Sequence, residues 1–581
     1  MNYKELGLKC GLELHIQLEG KKLFCNCQTL IRDDAPDLEI ERRLRASAGE
    51  TGVADVAALQ EMQKGKYFIY QAYTDSTCLV ELDESPPLPI NQQALNAVLQ
   101  VAKILKADIL PQVRMMRKTI VDGSNVSGFQ RTGLVALNGE LTTSQGKVGI
   151  PTIIIEEDAN RIIENTKEFT IYRLDRLGIP LVEISTTPDI ISPEHAKEVA
   201  ETLGMILRST GHAKRGLGTV RQDVNVSISK GNRVEIKGAQ DLKMIPTLVE
   251  YEVLRQKNLF ELKIKKQKPL IIDVTELFKT TESKILQNKF VLGIKLEEMK
   301  EILGKEIQPG RRYGTELSDR AKIIAGVGGL FHSDELPKYG ITEIDVRNVK
   351  KMLNCKINDA FILIADTKER AEKALNAVIN RINESSVPKE VRNANPDGTS
   401  SYLRPMPGAA RMYPETDIPV ININAKNVEL PELFDAKIKK FQKFGLSKDL
   451  AEKLVKKTNY SDLFETLMRF KKIKPAFIAE VLVNIFDLND KPIEQTFEAL
   501  NNGKITQESV LRILSEYSKA GKLNLEQNLM SEEDIRREIK KIIAEKKGLA
   551  FNALMGLAMH QLKGKAEGKL IARIVKEEIN N

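Results

Sequence analysis

The segment 11–18, GLELHIQL, sets Leu12, Leu14, Ile16 and Leu18 in alternation with Glu13, His15 and Gln17. Successive side chains of an extended strand point to opposite faces, so one face is apolar and the other carries a Glu-His-Gln row. The pattern recurs. VRQDVNVSI puts Arg221, Asp223, Asn225 and Ser227 on one face, and RVEIKG does the same for Arg233, Glu235 and Lys237. In IPTIIIEED, Glu157 shares the face of Ile153 and Ile155, and in IPLVEIS, Glu183 shares that of Leu181. If these strands belong to one sheet, its polar face is a cradle holding one imidazole and several carboxylates. That donor set, without a thiolate, suits a hard cation such as Mg²⁺ or Mn²⁺ better than Zn²⁺. A cation of that kind binds the phosphates of ATP. The alternative is a solvated sheet face on which these carboxylates form ion pairs with Arg161, Arg173 and Arg176.

The elements needed to position such a cradle are legible in outline. Residues 1 to about 283 are rich in short alternating segments bounded by Gly and Pro, which read as strands, with helical spacing over 91–107 and 193–209. From about 284 to 400 the texture becomes Gly-rich and mixed α/β, with a strand-like DAFILIAD and a helix-like KERAEKALNAVINRI. Beyond about 429 nearly everything reads as helix. A polar stretch near 522–532 reads as a loop before the last helices, with Ser531 and Asp534 as candidate caps.

At 581 residues the chain requires several hydrophobic cores, and 42% hydrophobic with 29% charged residues is ordinary for a folded protein. The absence of an 18-residue apolar run and of an apolar stretch in MNYKELGLKCGLE points away from a membrane and toward the cytoplasm. Five cysteines, an odd number in a long chain, suggest reduced thiols or a metal site rather than disulfides. The net charge is +8, and residues 431–581 hold 28 Lys and Arg against 22 Asp and Glu. That surplus fits either phosphate-backbone contact or a solvated helical surface.

GLELHIQL, LFCNCQ, IIIEEDANRI, LDRLGIPLVEISTTPDI, VRQDVNVSI, VEIKGAQDL and RMYPETDIP, in this order, resemble the motif series of the B/E family of tRNA-dependent amidotransferases. The segment of about 117 residues between the VEIKG and YPETD motifs resembles the insertion domain of bacterial-type aspartyl-tRNA synthetases, a feature of the family's archaeal E-type branch. The phrases GVGGLFHSDELP and PDGTSSYLRPMPGAARMYPETDIP point the same way, and ALMGLAMHQLKGKAEGKL resembles the YqeY-like tail with which the family contacts tRNA.

The resemblance implies a multidomain α+β protein in four parts: a largely antiparallel cradle domain (1–283 with 401–428), the synthetase-like α/β insertion (284–400), a helical domain (429–522) and the YqeY-like tail (523–581). It implies that His15, Glu157 and Glu183 are catalytic and hold Mg²⁺, and that Glu13, Arg221, Asp223 and Lys237 bind ATP. Glu156 ranks below Glu157 because alternation puts the two on opposite faces. B-type members carry a CxC and a CxxC of zinc-knuckle spacing. Here Cys25, Cys27 and Cys78 match, but Glu81 stands in the fourth place, so Zn²⁺ and reduced buried thiols remain open alternatives. Lys546, Lys547, Lys563 and Lys565 are candidate tRNA contacts.

The implied reaction is ATP-dependent phosphorylation of the Glu side chain on misacylated Glu-tRNA(Gln), then attack by ammonia to give Gln-tRNA(Gln). No GxSxG elbow or glutaminase-like cysteine setting is present, so a partner must supply ammonia. The resemblance makes that partner the D-type subunit, an asparaginase-like glutaminase, in a heterodimer. Two competing readings are a non-catalytic tRNA scaffold and a synthetase activating a free amino acid, the latter prompted by GLGTVRQ at 216–222.

Overall fold

In the computed structural model the described residues are 1–43, 65–120, 122–166, 168–216, 218–406, 412–485, 488–525, 530–546, 551–562, 565–566 and 568–580. They form two compact units, Met1–Pro431 and Glu432–Asn581.

The first unit is built on an 11-stranded sheet. In spatial order its strands are Ser400–Pro405, Glu390–Ala394, Val234–Lys237, Val220–Ser227, Lys9–Gln17, Pro180–Ser185, Gly146–Glu157, Phe129–Thr143, Met115–Thr119 and Met412–Pro414, with Asp108–Ile109 pairing beside Phe129–Thr143. Val234–Lys237 and Glu390–Ala394 run parallel, while the other neighbours are antiparallel. The alternation of GLELHIQL becomes burial. Leu12, Leu14 and Ile16 join Ile153, Ile155, Val182, Ile184, Val224 and Val226 in a core closed by the helices Gln92–Ile104, Pro193–Ser209 and Met244–Glu261.

Two of these helices start at side-chain caps. Asn91 accepts hydrogen bonds from the amides of Gln93 and Ala94, and Ser192 accepts one from His195 ahead of a helix with Pro at its first turn. The second helix keeps the expected bounds. The first stops at Ile104 rather than 107, because Lys106 takes a left-handed backbone at φ 53°.

A smaller sheet, in the order Ile272–Asp273, Phe290–Leu296, Ala360–Asp366 and Phe331–His332, is packed by the helix Lys368–Asn383, on which Tyr313–Ala325 packs in turn. The strand Glu390–Ala394 already belongs to the large sheet. The changeover between sheets therefore falls near 270 and 389. A two-residue strand leaves no periodicity to read, and the return at Glu390 is a long-range pairing with Val234.

The two sheets are riveted by a buried ion network. Glu316 accepts from Arg255 Nη1 at 2.7 Å and from Arg381 Nη2 at 2.6 Å, while Arg320 Nη2 reaches Glu390 at 2.7 Å. Arg255 also pairs with Glu252, and Arg392 with Glu390. Arg255, Arg381 and Arg392 are among the largest fully buried side chains of the protein. Such charges survive burial only when paired and hydrogen-bonded.

In the second unit the described residues form helices, from Phe434–Lys443 to Gly568–Asn580. Ser531 caps Glu532–Glu545 by accepting from the amide of Asp534. The last three helices share a core of Ile535, Ile539, Leu554, Ile571 and Ile574. Lys547 and Lys563 lie outside the described residues. Among the described residues no helix is long and apolar enough to cross a membrane.

Candidate functional site

The face of the large sheet opposite the helices carries the polar row. Backbone register sets His15 against Glu183 on one side and Arg221 on the other, and Glu13 against Asp223. Asn225 lies opposite Glu235 one strand further out. Glu183 is opposite Ile154 and Leu181 is opposite Glu156, so Glu156 stands diagonally across from Glu183 on the same face.

Side-chain geometry follows. His15 Nε2 is 3.3 Å from Glu183 Oε2 and 3.7 Å from Glu156 Oε1. One potential ligand atom from each of these three residues lies within 4.8 Å of the others. Glu156 is 2% exposed, and its Oε2 has no hydrogen-bond partner. A buried carboxylate oxygen left without a partner is costly unless a cation satisfies it. The donor set of one imidazole and two carboxylates therefore fits a hard divalent ion.

Burial, the largest influence on His15, favours the neutral ring, but the hydrogen bond to Glu183 and the charges of Glu183 and Glu156 raise its pKa above the ordinary value. Burial pushes Glu183 up as well, yet its hydrogen bond and charge interaction with His15 hold it below the usual carboxylate range. Glu156 is raised, by burial first.

Glu157 is placed elsewhere than His15 and Glu183. It lies on the helix-side face with Ile153 and Ile155, as alternation required. There it accepts from the amide of Arg131 at 3.3 Å and meets the Arg131 guanidinium at 3.5 Å. Arg131 continues to Glu415 at 2.8 Å in the PETD segment, so Glu157 belongs to a buried brace between distant parts of the chain. Glu156 is the carboxylate brought to His15. Its signal is present in the sequence, since Glu156 shares its face with Thr152 and Ile154, away from the core.

The residues expected to bind ATP gather on the same polar face in two groups. Glu13, Asp223 and Glu235 form a second carboxylate cluster with ligand atoms within 4.8 Å, and Asn225 donates to Glu13 at 3.2 Å. Lys237 pairs with both Asp223 and Glu235. Although burial acts against its charge, those carboxylates push its pKa up to about 12. Arg221 donates to the buried Asp158 at 2.6 Å, and Gln17 donates to the other oxygen of Asp158 at 2.5 Å. The alternative ion pairs do not form among the described residues: Arg161 goes to Asp33 and Asp175, Arg173 to Asp33, and Arg176 to Asp158.

Cys25, Cys27, Cys78 and Glu81 converge at a third point, again with ligand atoms within 4.8 Å of one another. Cys25 Sγ donates to Glu81 Oε1 at 2.8 Å, and the Cys78 amide donates to Glu81 Oε2 at 2.7 Å. The buried Lys22 ammonium is 3.8 Å from the same carboxylate. Contact with the Cys25 sulfur lowers the pKa of the Cys27 thiol to about 7, whereas burial and Glu81 raise that of Cys78 to about 11. Three sulfurs and one carboxylate at this spacing match a tetrahedral zinc donor count.

The family model described as the GatB/GatE catalytic domain matches residues 8–429. The chain is 48% identical to the E-type subunit of the glutamyl-tRNA(Gln) amidotransferase of Methanocaldococcus jannaschii, over 100% of this chain and 99% of that protein. It is 46% identical to the protein of the same name from Methanococcus maripaludis and 45% to that from Methanosarcina acetivorans, over the same shares of each chain.

Proposed function

The chain belongs to the GatB/GatE family, and from that premise we infer that it is the subunit of a tRNA-dependent amidotransferase that uses ATP to convert Glu-tRNA(Gln) to Gln-tRNA(Gln). The observation that carries the assignment of chemistry to particular residues is the His15, Glu156 and Glu183 triad with its unpartnered Glu156 oxygen.

A carboxylate is a poor electrophile, because its leaving group would be oxide. In the proposed reaction an oxygen of the glutamyl side chain attacks the γ-phosphorus of ATP. The bond from that phosphorus to the β-phosphate oxygen breaks, and ADP leaves with the electron pair. Ammonia then attacks the acyl carbon, the carbon–oxygen bond to phosphate breaks, and loss of a proton from nitrogen leaves the amide. A divalent cation, Mg²⁺ in the cell, held by His15, Glu156 and Glu183 supplies neutralisation of phosphate charge when bound. His15 Nε2 faces both Glu183 and Glu156, so these three groups would hold the ion together, with neutral His15 giving its Nε2 lone pair. Lys237 holds Asp223 and Glu235 in place beside Glu13, and Arg221 with Gln17 anchors Asp158 at the end of the sheet. The rigid sheet positions these groups in advance, which is the main protein contribution to phosphoryl transfer.

The D-type subunit, an asparaginase-like glutaminase, is proposed as the ammonia source. The segment around the small sheet is proposed to be the synthetase-like insertion, the last three helices the YqeY-like tRNA-binding tail, and Cys25, Cys27, Cys78 and Glu81 a structural zinc site. The test uses the full complex with Glu-tRNA(Gln). His15→Ala and Glu156→Gln should each lose Mn²⁺ binding, read by electron paramagnetic resonance, together with tRNA-dependent ATP hydrolysis, while tRNA affinity stays within a few fold. Undiminished hydrolysis in both variants would refute the triad.

A further inference from the structure

Among the described residues, Lys237, Arg221 and Lys118 lie on the polar face near its carboxylates, and the first two are committed. Lys237 is paired with Asp223 and Glu235, and Arg221 with Asp158. The third is Lys118, on the strand Met115–Thr119. Met116 is opposite Thr132, and Thr132 is opposite Glu156, so Met116, Glu156 and, two residues along, Lys118 share the face of the triad. Lys118 is half-buried, and among the described residues its ammonium makes neither a hydrogen bond nor an ion pair. It lies on the face of the triad, two residues along from the position in line with Glu156, and no ion pair joins it to Glu156 or Glu183 among the described residues.

An ammonium without a partner on the face of a cation-binding triad is placed to meet a group with several anionic oxygens, and the reaction supplies one. We propose that Lys118 is a phosphate-binding residue: its ammonium contacts the γ-phosphoryl group as it passes from ATP to the glutamyl carboxylate, and then the phosphate that leaves when ammonia displaces it. In the first step the new bond joins a carboxylate oxygen to phosphorus and the old bond to ADP oxygen breaks. In the second a carbon–nitrogen bond replaces the carbon–oxygen bond, and inorganic phosphate departs with the electron pair. Negative charge lies on the phosphoryl oxygens throughout, and a positioned ammonium stabilises it without exchanging a proton. Loss of one such contact lowers kcat by roughly 10²-fold.

This inference rests on the assignment of the triad, and the experiment separates the two. In the full complex, Lys118→Met should lower kcat for amidation and for tRNA-dependent ATP hydrolysis by about 10²-fold, with the KM for Glu-tRNA(Gln) within about threefold and Mn²⁺ binding unchanged. Lys118→Arg, which restores the charge, should recover at least a tenth of the wild-type kcat. A Lys118→Met kcat within threefold of wild type, equal loss in both variants, or loss of Mn²⁺ binding on removing Lys118 would each overturn the proposal. Retention of Mn²⁺ by His15→Ala and Glu156→Gln would instead overturn the triad.

Discussion

Glu316→Gln removes one negative charge from a network that is balanced as it stands. Glu252, Glu316, Glu384 and Glu390 face Arg255, Arg320, Arg381 and Arg392. Glu316 accepts from Arg255 at 2.7 Å and from Arg381 at 3.0 and 2.6 Å, with Arg392 at 3.7 Å, and all four side chains are buried. The amide keeps the shape but leaves guanidinium charge uncompensated, and breaking a buried pair costs about 3–5 kcal/mol. With an unfolding entropy near 2.1 cal/mol/K per residue, a unit of this size loses roughly 1 °C per kcal/mol, so Tm should fall by about 3–6 °C.

The pH dependence supplies a second check with a defined sign. Burial, the largest influence, raises the Glu316 carboxyl, but Arg255, Arg381 and Arg392 outweigh it and hold it far below the usual range. The folded state therefore binds fewer protons than the unfolded one. The stabilisation is complete above the unfolded carboxyl value of about 4.3 and is lost as pH falls toward the depressed folded value. Calorimetry of wild type and Glu316→Gln should show the full Tm difference at pH 7 and a shrinking one below about pH 4. A Tm within 1 °C of wild type at pH 7, or a difference that grows on acidification, would refute the account.

Glu157→Gln, by contrast with Glu156→Gln, should keep Mn²⁺ affinity within a few fold while lowering Tm, because its partner is the buried Arg131; Mn²⁺ titration and calorimetry read the two effects. Metal analysis of the purified protein should find one zinc per chain, and Cys27→Ser or Glu81→Ala should release it to a chelating dye faster than wild type. Truncation before residue 523 should raise the KM for Glu-tRNA(Gln) more than it lowers kcat in steady-state amidation assays, and an unchanged KM would remove the tail from tRNA binding.

Alternation in GLELHIQL, VRQDVNVSI and IPLVEIS is a local property, and each became a strand with the expected faces. The motif IEED offers two adjacent carboxylates, and alternation, placing Glu157 with Ile153 and Ile155, sets its neighbour Glu156 beside His15. Which rows meet is not local: His15 and Glu183 are about 170 residues apart and are joined only by register. Lys118 lies in a segment without periodicity, and its approach to the triad depends on two successive strand pairings. Glu235 is readable on the face of Lys237, but its convergence with Glu13 requires the order of three strands.

The parallel pairing of Val234–Lys237 with Glu390–Ala394 carries a cost in chain entropy. It joins positions about 150 residues apart, and closing a flexible loop of that length costs roughly 4 kcal/mol. Once the intervening residues have condensed around the small sheet, the ends are held near each other and most of that cost has already been met. Glu235 sits on the strand that this closure secures, opposite Val391. Glu235 is held on its other side by the local pairing with Asn225, so the long-range closure adds a second brace to a strand already placed by its neighbour.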